Sequence, residues 1–285
     1  MKPMLDTVQT IADWAAILPF ALLPFEIWRL RLARALDRRT WLEMAANLSP
    51  LVPMIAFYGL LAAFATGLYA AIQTVVPWRI ETTPWTFAAA LLAVDFLYYW
   101  DHRAGHRVRA LWAASHSVHH SSPLFNQTTG LRISFVDGLI TPWFYAPLIV
   151  VGFEPATVIA AYAVVLAWQQ WIHTETIGKL GWLDRLLNTP SNHRVHHGTE
   201  SWCIDRNYGG VLMVWDHLFG TYAAERAPTP YGLTTPIDSV NPIDVHCAEA
   251  VRFARDFAGL KTWRARLRFA LGGPEQVVTD APGRS

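Results

Sequence analysis

From Met44 to Trp78 the chain carries no charged residue. A bilayer crossing takes about 20 consecutive apolar residues, so this run suffices for a transmembrane helix, and it limits the rest of the chain to folds compatible with a membrane. Composition agrees. The sequence is 53% hydrophobic and 16% charged, with 14 tryptophans, against about 25% charged residues in an ordinary soluble domain. A formal net charge of +1 gives no basic field for nucleic acid. Cys203 and Cys247 form no Cys-x-x-Cys pair, so neither a disulfide framework nor a cysteine zinc site is expected.

Further apolar segments surround the long run. "TPWTFAAALLAVDFLYYW", ending at Trp100, reads as a second span containing one carboxylate, Asp95. "GLITPWFYAPLIVVGF" and "PATVIAAYAVVLAWQQWI" read as a helical hairpin that either crosses the membrane or enters and leaves by one face. Residues 11–28, interrupted by Asp13, Pro19, Pro24 and Glu26, either span or lie in the interface. The link "RLRLARALDRR" carries five arginines, whereas that between Trp78 and Trp85 carries only Arg79. By the positive-inside rule the arginine-rich side is cytoplasmic. Counting crossings from there returns the loop after Trp100 and the stretch after Ile172 to that side. The last residues, "VVTDAPGRS", read as a loose tail.

Those two cytoplasmic stretches hold every clustered histidine. His102 and His106 are spaced i, i+4, one turn apart on one helix face. His116, His119 and His120, in "SHSVHH", form an H-x-x-H-H set expected to face one way, and His193, His196 and His197, in "NTPSNHRVHHG", repeat it. Pro190 with Ser191 or Asn192 marks the expected start of the helix carrying the last set. A cluster of imidazoles is costly to bury unless a cation sits among them. His173, at the end of the hairpin, is placed to join them, while His217 and His246 have no partner at ligand spacing. So many imidazoles exceed the need of a four-coordinate structural zinc and point to two ions with open positions. Imidazole suits iron, copper, nickel and zinc, so spacing does not name the element; a redox metal at the mouth of an apolar pocket favours iron. Asp95, two turns before His102, is a candidate to accept a proton from a ligand's second nitrogen. Glu175 and Asp205 are further candidates for that outer role, and Asp205 with Asn207 alternatively fixes a turn beside Gly209 and Gly210.

These sets resemble the H-x3-H, H-x2-H-H and H-x2-H-H pattern of the fatty acid hydroxylase, or sterol desaturase, superfamily of integral-membrane histidine-box di-iron oxygenases. The similarity runs from about Asp95 to Tyr222. Within it, "LWAASHSVHHSS", "WIHTETIGKLGWLDRLLNTPSNHRVHHG" and "CIDRNYGGVLMVWDHLFGTYAAE" resemble the alkylglycerol monooxygenase branch and its bacterial relatives. Two positions depart from the pattern. Arg107 stands where an acidic residue often follows the second histidine, and Asp101 where an aromatic or apolar residue is commoner.

The resemblance implies an all-α membrane bundle with a cytoplasmic histidine-rich helical cap. It divides the chain into N-terminal membrane segments (1–94), a catalytic core (95–225) and a C-terminal cytoplasmic extension (226–285). It implies two iron ions, which zinc can replace in isolated protein, together with dioxygen. An external electron donor is also implied, either tetrahydrobiopterin or a ferredoxin or cytochrome b5-type protein. The implied substrate is a lipid: an alkylglycerol ether first, with sterol or fatty-acyl hydroxylation or desaturation as the alternative. A membrane metal carrier or store is the alternative from a different class, but its ligands would be strung through the spans rather than gathered at their ends. A zinc hydrolase would need fewer histidines and a water-activating acid.

Overall fold

The structure, a computed structural model, describes residues 2–275, and the tail read from Val277 onward lies outside them. Among the described residues the chain is helical, with isolated β-bridges and no strand. Four long helices come first: α1 (Lys2–Leu32), α2 (Arg38–Leu48), α3 (Leu51–Val75) and α4 (Pro84–Arg107). Short pieces follow: α5 (Arg109–Leu111), a π-helical segment (Trp112–His116), α6 (Ser117–His120) and α7 (Gln127–Gly130). The hairpin α8 (Asp137–Val151) and α9 (Pro155–Trp171) precedes α10 (Leu183–Leu186), α11 (Pro190–His197), α12 (Val214–Phe219), α13 (Pro242–Gly259) and α14 (Trp263–Leu271).

Local chemistry sets the ends of these helices. Pro84 and Pro155 occupy the first turns of α4 and α9, where a missing N–H costs nothing. Thr83 and Thr86 close a capping box at the start of α4. α8 stops at Gly152, whose φ of +112° is left-handed and whose missing Cβ leaves room for Trp78. The core lies where α3, α4, α8 and α9 meet, around Tyr69, Ala90, Val94, Tyr145, Ile149 and Val165, and α1 packs along α9.

The Arg38–Val75 stretch is long and apolar enough to cross a membrane, and only 6% of its most apolar window is buried. Val52, Ile55, Tyr58 and Leu60 along it are exposed. Water is a poor neighbour for so much contiguous apolar surface.

The two ends of the bundle differ. At one, Ile80 N donates to Gly152 O (2.8 Å), Trp78 Nε1 donates to Val151 O (3.1 Å) and Gln73 Nε2 donates to Glu154 Oε2 (3.3 Å). The hairpin tip therefore lies level with the α3–α4 link. At the other, Thr174 Oγ1 donates to Glu26 Oε2 (3.1 Å), which brings the arginine-rich link after α1 to the end where His173 lies. The fold thus sorts five arginines and all the clustered histidines to one end, and the link holding Arg79 to the opposite one.

Candidate metal centre

Nine histidines converge in two groups. His102, His106, His116, His120 and His196 form one, and His119, His173, His193 and His197 the other; within each, one ring nitrogen per residue lies within 4.8 Å of all the rest. The groups abut, the His120 and His197 rings stacking at 4.2 Å. His217 and His246 stand apart: His217 Nε2 bonds Arg185 O, and His246 Nδ1 bonds Pro242 O.

Helical geometry explains the sorting and corrects one expectation. The H-x-x-H-H sets do not face one way. Consecutive helical residues point about 100° apart, so His119 and His120 diverge into different groups, as do His196 and His197. The i, i+4 pairs His116/His120 and His193/His197 each stay within one group. A π-helical turn ends at His116, a local widening of the sort found at functional sites. α11 begins as its proline suggests, with Pro190 at its first position, but the residue before it is Thr189. Ser191 bonds Glu225, and Asn192 Nδ2 donates to Asp184 O and Leu187 O.

Three of the nine rings have their second nitrogen held by a backbone carbonyl. His102 Nδ1 meets Tyr208 O at 3.0 Å, His196 Nδ1 meets Arg206 O at 2.8 Å, and His173 Nδ1 meets Gln169 O at 2.7 Å. A carbonyl only accepts, so these Nδ1 atoms carry the proton, and each Nε2 is left as a bare lone pair. In one group the His196 lone pair meets His120 Nε2 at 3.1 Å. In the other, that of His173 meets His119 Nε2 at 3.2 Å and His193 Nε2 at 3.0 Å. His197 Nε2 is buried without a hydrogen-bond partner.

Burial, reinforced by the neighbouring imidazoles, pushes His102, His106, His120, His193 and His197 well below the usual histidine range, and His119 falls to about 4. The rings are thus neutral near pH 7, with convergent lone pairs and little to satisfy them but a cation. That donor set fits two divalent metal ions.

The three carboxylates proposed for the outer shell are occupied elsewhere. Asp95 accepts from Val211 N (2.5 Å), Leu212 N (3.3 Å) and Trp215 Nε1 (2.9 Å). It anchors the segment after Tyr208 and accepts from no histidine nitrogen. Asp205 pairs with Arg107 and accepts from Tyr208 Oη, while Glu175 accepts from Tyr231 Oη. Asp205 and Asn207 both have left-handed φ, 59° and 58°, in keeping with the turn reading. Fully buried Asp216 completes that turn, accepting from Tyr208 N and Gly209 N. The orienting carbonyls leave no mark in the sequence, because every residue has one. Gly130 carries no motif either. A Cβ there would sit 2.6 Å from Gln170 Oε1 and 3.0 Å from His173 Nδ1, so any side chain at this position would have to displace Gln170 and press on His173.

A cavity of about 290 Å³ opens onto both groups, reaching His102 and His116 of one and His119, His173 and His193 of the other. Leu111, Leu131, Ile133, Ile140, Tyr162 and Leu166 make much of its wall apolar. Asp101 and Asp137 also line it.

The fatty acid hydroxylase family model matches residues 87–221. Alkylglycerol monooxygenase from Homo sapiens is 49% identical over 172 residues, 60% of this chain and 37% of that protein. The Xenopus tropicalis alkylglycerol monooxygenase is 39% identical over 236 residues, 81% of this chain and 51% of its own length. An ornithine lipid hydroxylase from Rhizobium tropici is 27% identical over 250 residues, 81% of this chain and 69% of its own. The chain thus spans about half or less of these two alkylglycerol monooxygenases. No solved structure matches it significantly.

Proposed function

Because this chain carries a fatty acid hydroxylase domain over residues 87–221, we propose that it is a membrane-bound, dioxygen-dependent lipid monooxygenase whose nine clustered histidines hold two iron ions. The observation that carries this reading is the largely apolar cavity whose lining includes histidines of both groups. Such a wall receives an alkyl chain and excludes water. Bound iron supplies what side chains lack, the reductive activation of dioxygen and the cleavage of an unactivated C–H bond. The carbonyls of Tyr208, Arg206 and Gln169 keep three Nε2 lone pairs aimed inward. Two electrons per turnover come from an external donor, tetrahydrobiopterin or an electron-transfer protein.

The substrate we favour is an alkylglycerol ether, oxidised at the carbon beside the ether oxygen so that the product collapses to an aldehyde and glycerol. Both alkylglycerol monooxygenases support it. So does depth, since the histidines cluster at the helix ends, where the polar end of a lipid would lie with its chain among the helices. Acyl-chain or sterol hydroxylation is the second reading, favoured by the ornithine lipid hydroxylase, most of which this chain covers. The assay supplies metal-loaded protein with an alkylglycerol, oxygen and either tetrahydrobiopterin or a reductase and ferredoxin, and measures fatty aldehyde. Aldehyde formation is the expected result. Oxygen insertion into a sterol or fatty acid with no aldehyde from any donor would leave only the second reading.

The same proposal places the chain across the membrane several times, with residues 95–225 as the catalytic unit, residues 226–285 as a cytoplasmic extension and the histidine end facing the cytoplasm. Its support is the gathering of the arginine-rich link and the histidines at one end of the bundle. In a background lacking Cys203 and Cys247, cysteine at exposed Ser201 should resist an impermeant thiol reagent until cells are lysed, whereas cysteine at exposed Glu81 should react in intact cells. The opposite labelling would invert the topology.

A further inference from the structure

α13 and α14 each carry two apolar faces. On α14, Ala265 and Phe269 are buried in a cluster with Leu260, against which Phe253 and Phe257 of α13 pack. Trp263, Leu267 and Leu271 stand at i, i+4 and i+8 on the same helix, and at about 100° per residue they centre about 180° from the buried pair. All three are exposed, Trp263 at 67% and Leu271 at 65%. α13 repeats the arrangement: Val245 is buried against Ala46 and Val118, whereas Ile243, Cys247 and Val251, again at i, i+4 and i+8, are exposed. One face of each helix closes the protein's own core, and among the described residues nothing covers the other.

The charge beside these faces is of one sign. From Ala250 to Leu271 the chain has six basic residues and one acidic one, in a protein whose formal net charge is +1. Arg255 on α13 and Arg264 and Arg268 on α14 border the exposed faces by helical phase; with Lys261 they are exposed and form no ion pair among the described residues. An apolar face with a tryptophan, edged by arginine, suits the headgroup layer of an anionic bilayer. A second copy fits less well, because a two-fold contact through these faces would bring like arginines together.

Both helices are also tied to the bundle where its long helices end. Ala46, on which Val245 rests, lies on α2 five residues before α3 begins. Arg109, two residues past the end of α4, donates from N to Gly272 O at 2.8 Å and from Nη2 to Gly273 O and Pro274 O at 3.0 and 2.8 Å. Exposed Trp41 and Leu42 on α2 extend the apolar surface of α3 to this level.

We propose that the exposed faces of α13 and α14 dock on an anionic phospholipid surface, so that the C-terminal extension lies in the headgroup layer at the histidine end of the bundle. The inference rests on the membrane placement given above and not on the metals or the substrate. Anionic headgroups hold the arginines, and the layer beneath them receives the apolar side chains.

The test uses the whole chain, reconstituted into vesicles of phosphatidylcholine alone or mixed with phosphatidylglycerol, with a polarity-sensitive fluorophore on exposed Cys247. Cys203 is buried, and Cys247→Ser should take no label. With phosphatidylglycerol the emission should shift to the blue, quenching by aqueous acrylamide should fall and quenching by nitroxide-bearing lipid should rise. High salt should reverse all three. Arg264→Gln and Arg268→Gln should each shift the docked-to-free ratio about fivefold toward free, with no change in melting temperature, because both side chains are exposed and unpaired. Equal behaviour in the two kinds of vesicle would overturn the proposal. So would protection from acrylamide without quenching by the lipid nitroxide, which would give the faces to a second copy or another protein. Failure of the protein to float with either kind of vesicle would overturn the membrane placement and the docking with it.

Discussion

Replacing His120 and His196 together by alanine should leave one metal ion per chain where the proposed centre takes two in the wild type, and should abolish lipid oxidation. Their Nε2 atoms lie 3.1 Å apart within the five-histidine group, and the Arg206 carbonyl fixes the proton of His196 on the far side of its ring. Removing both leaves three donors and an enlarged, still desolvated space. His193→Ala with His197→Ala should do the same to the other group, and all four substitutions together should leave no bound metal. Chemistry that needs both ions fails in each case, so activity should fall by several orders of magnitude while metal content falls in steps. Elemental analysis of folded protein checks this. A single ion per wild-type chain, or a joint loss of both ions from either pair, would refute two separately held ions. Zinc in place of iron would leave the geometry intact.

That stepwise loss depends on a feature the sequence only half discloses. Histidine content and spacing identify eight of the nine residues that the fold gathers, and His173 is added by its place at the end of the hairpin, since imidazoles repeated so densely in an oily chain are costly to bury without a cation among them. Their division into five and four is hidden, because it depends on helical phase and on the π-turn at Trp112–His116, a departure no simple spacing rule anticipates. The outer shell is harder still. Asp95 lies on the expected helix and two turns from His102, yet the segment from Val211 to Trp215 folds over it and takes both of its oxygens. Sequence distance along one helix cannot register a competitor more than a hundred residues away. The carbonyls that orient His102, His173 and His196 belong to the backbone, so residue identity says nothing of them. Asp137 shows the converse. As one acid in "SFVDGLIT" it carries no motif, and only the packing that brings α8 against the histidine end puts it on the cavity wall. The long helices are legible because length, lack of charge and proline placement are local properties.

Arg194→Met should give the largest loss of stability of any single substitution at the rim of this site. Arg194 lies on α11 among the clustered histidines, yet it turns toward Glu225, donating from Nε to Oε1 at 2.7 Å and from Nη2 to Oε2 at 2.9 Å, with side-chain exposures of only 9% and 12%. Its Nη1 donates to Ile177 O at 2.7 Å and to Thr174 O at 3.2 Å, so one guanidinium ties the helix bearing His193, His196 and His197 to the segment that follows His173. Burial alone would favour a neutral Glu225, but the hydrogen bonds and charge of Arg194, with the hydroxyl of Ser191, hold its carboxyl below the usual range. Methionine fills much of the volume and leaves that carboxylate without its partner, together with two carbonyls. Breaking a buried pair from one side costs about 3–5 kcal/mol, enough to lower the melting temperature of detergent-solubilised protein by many degrees. Arg194→Lys should recover only part of the loss, since an ammonium cannot make the forked contact. Because the clamp spans His173 and His193, the ion of the four-histidine group should be released first on warming. Equal melting of wild type and Arg194→Met, or earlier release from the five-histidine group, would show that the clamp does not hold the site together.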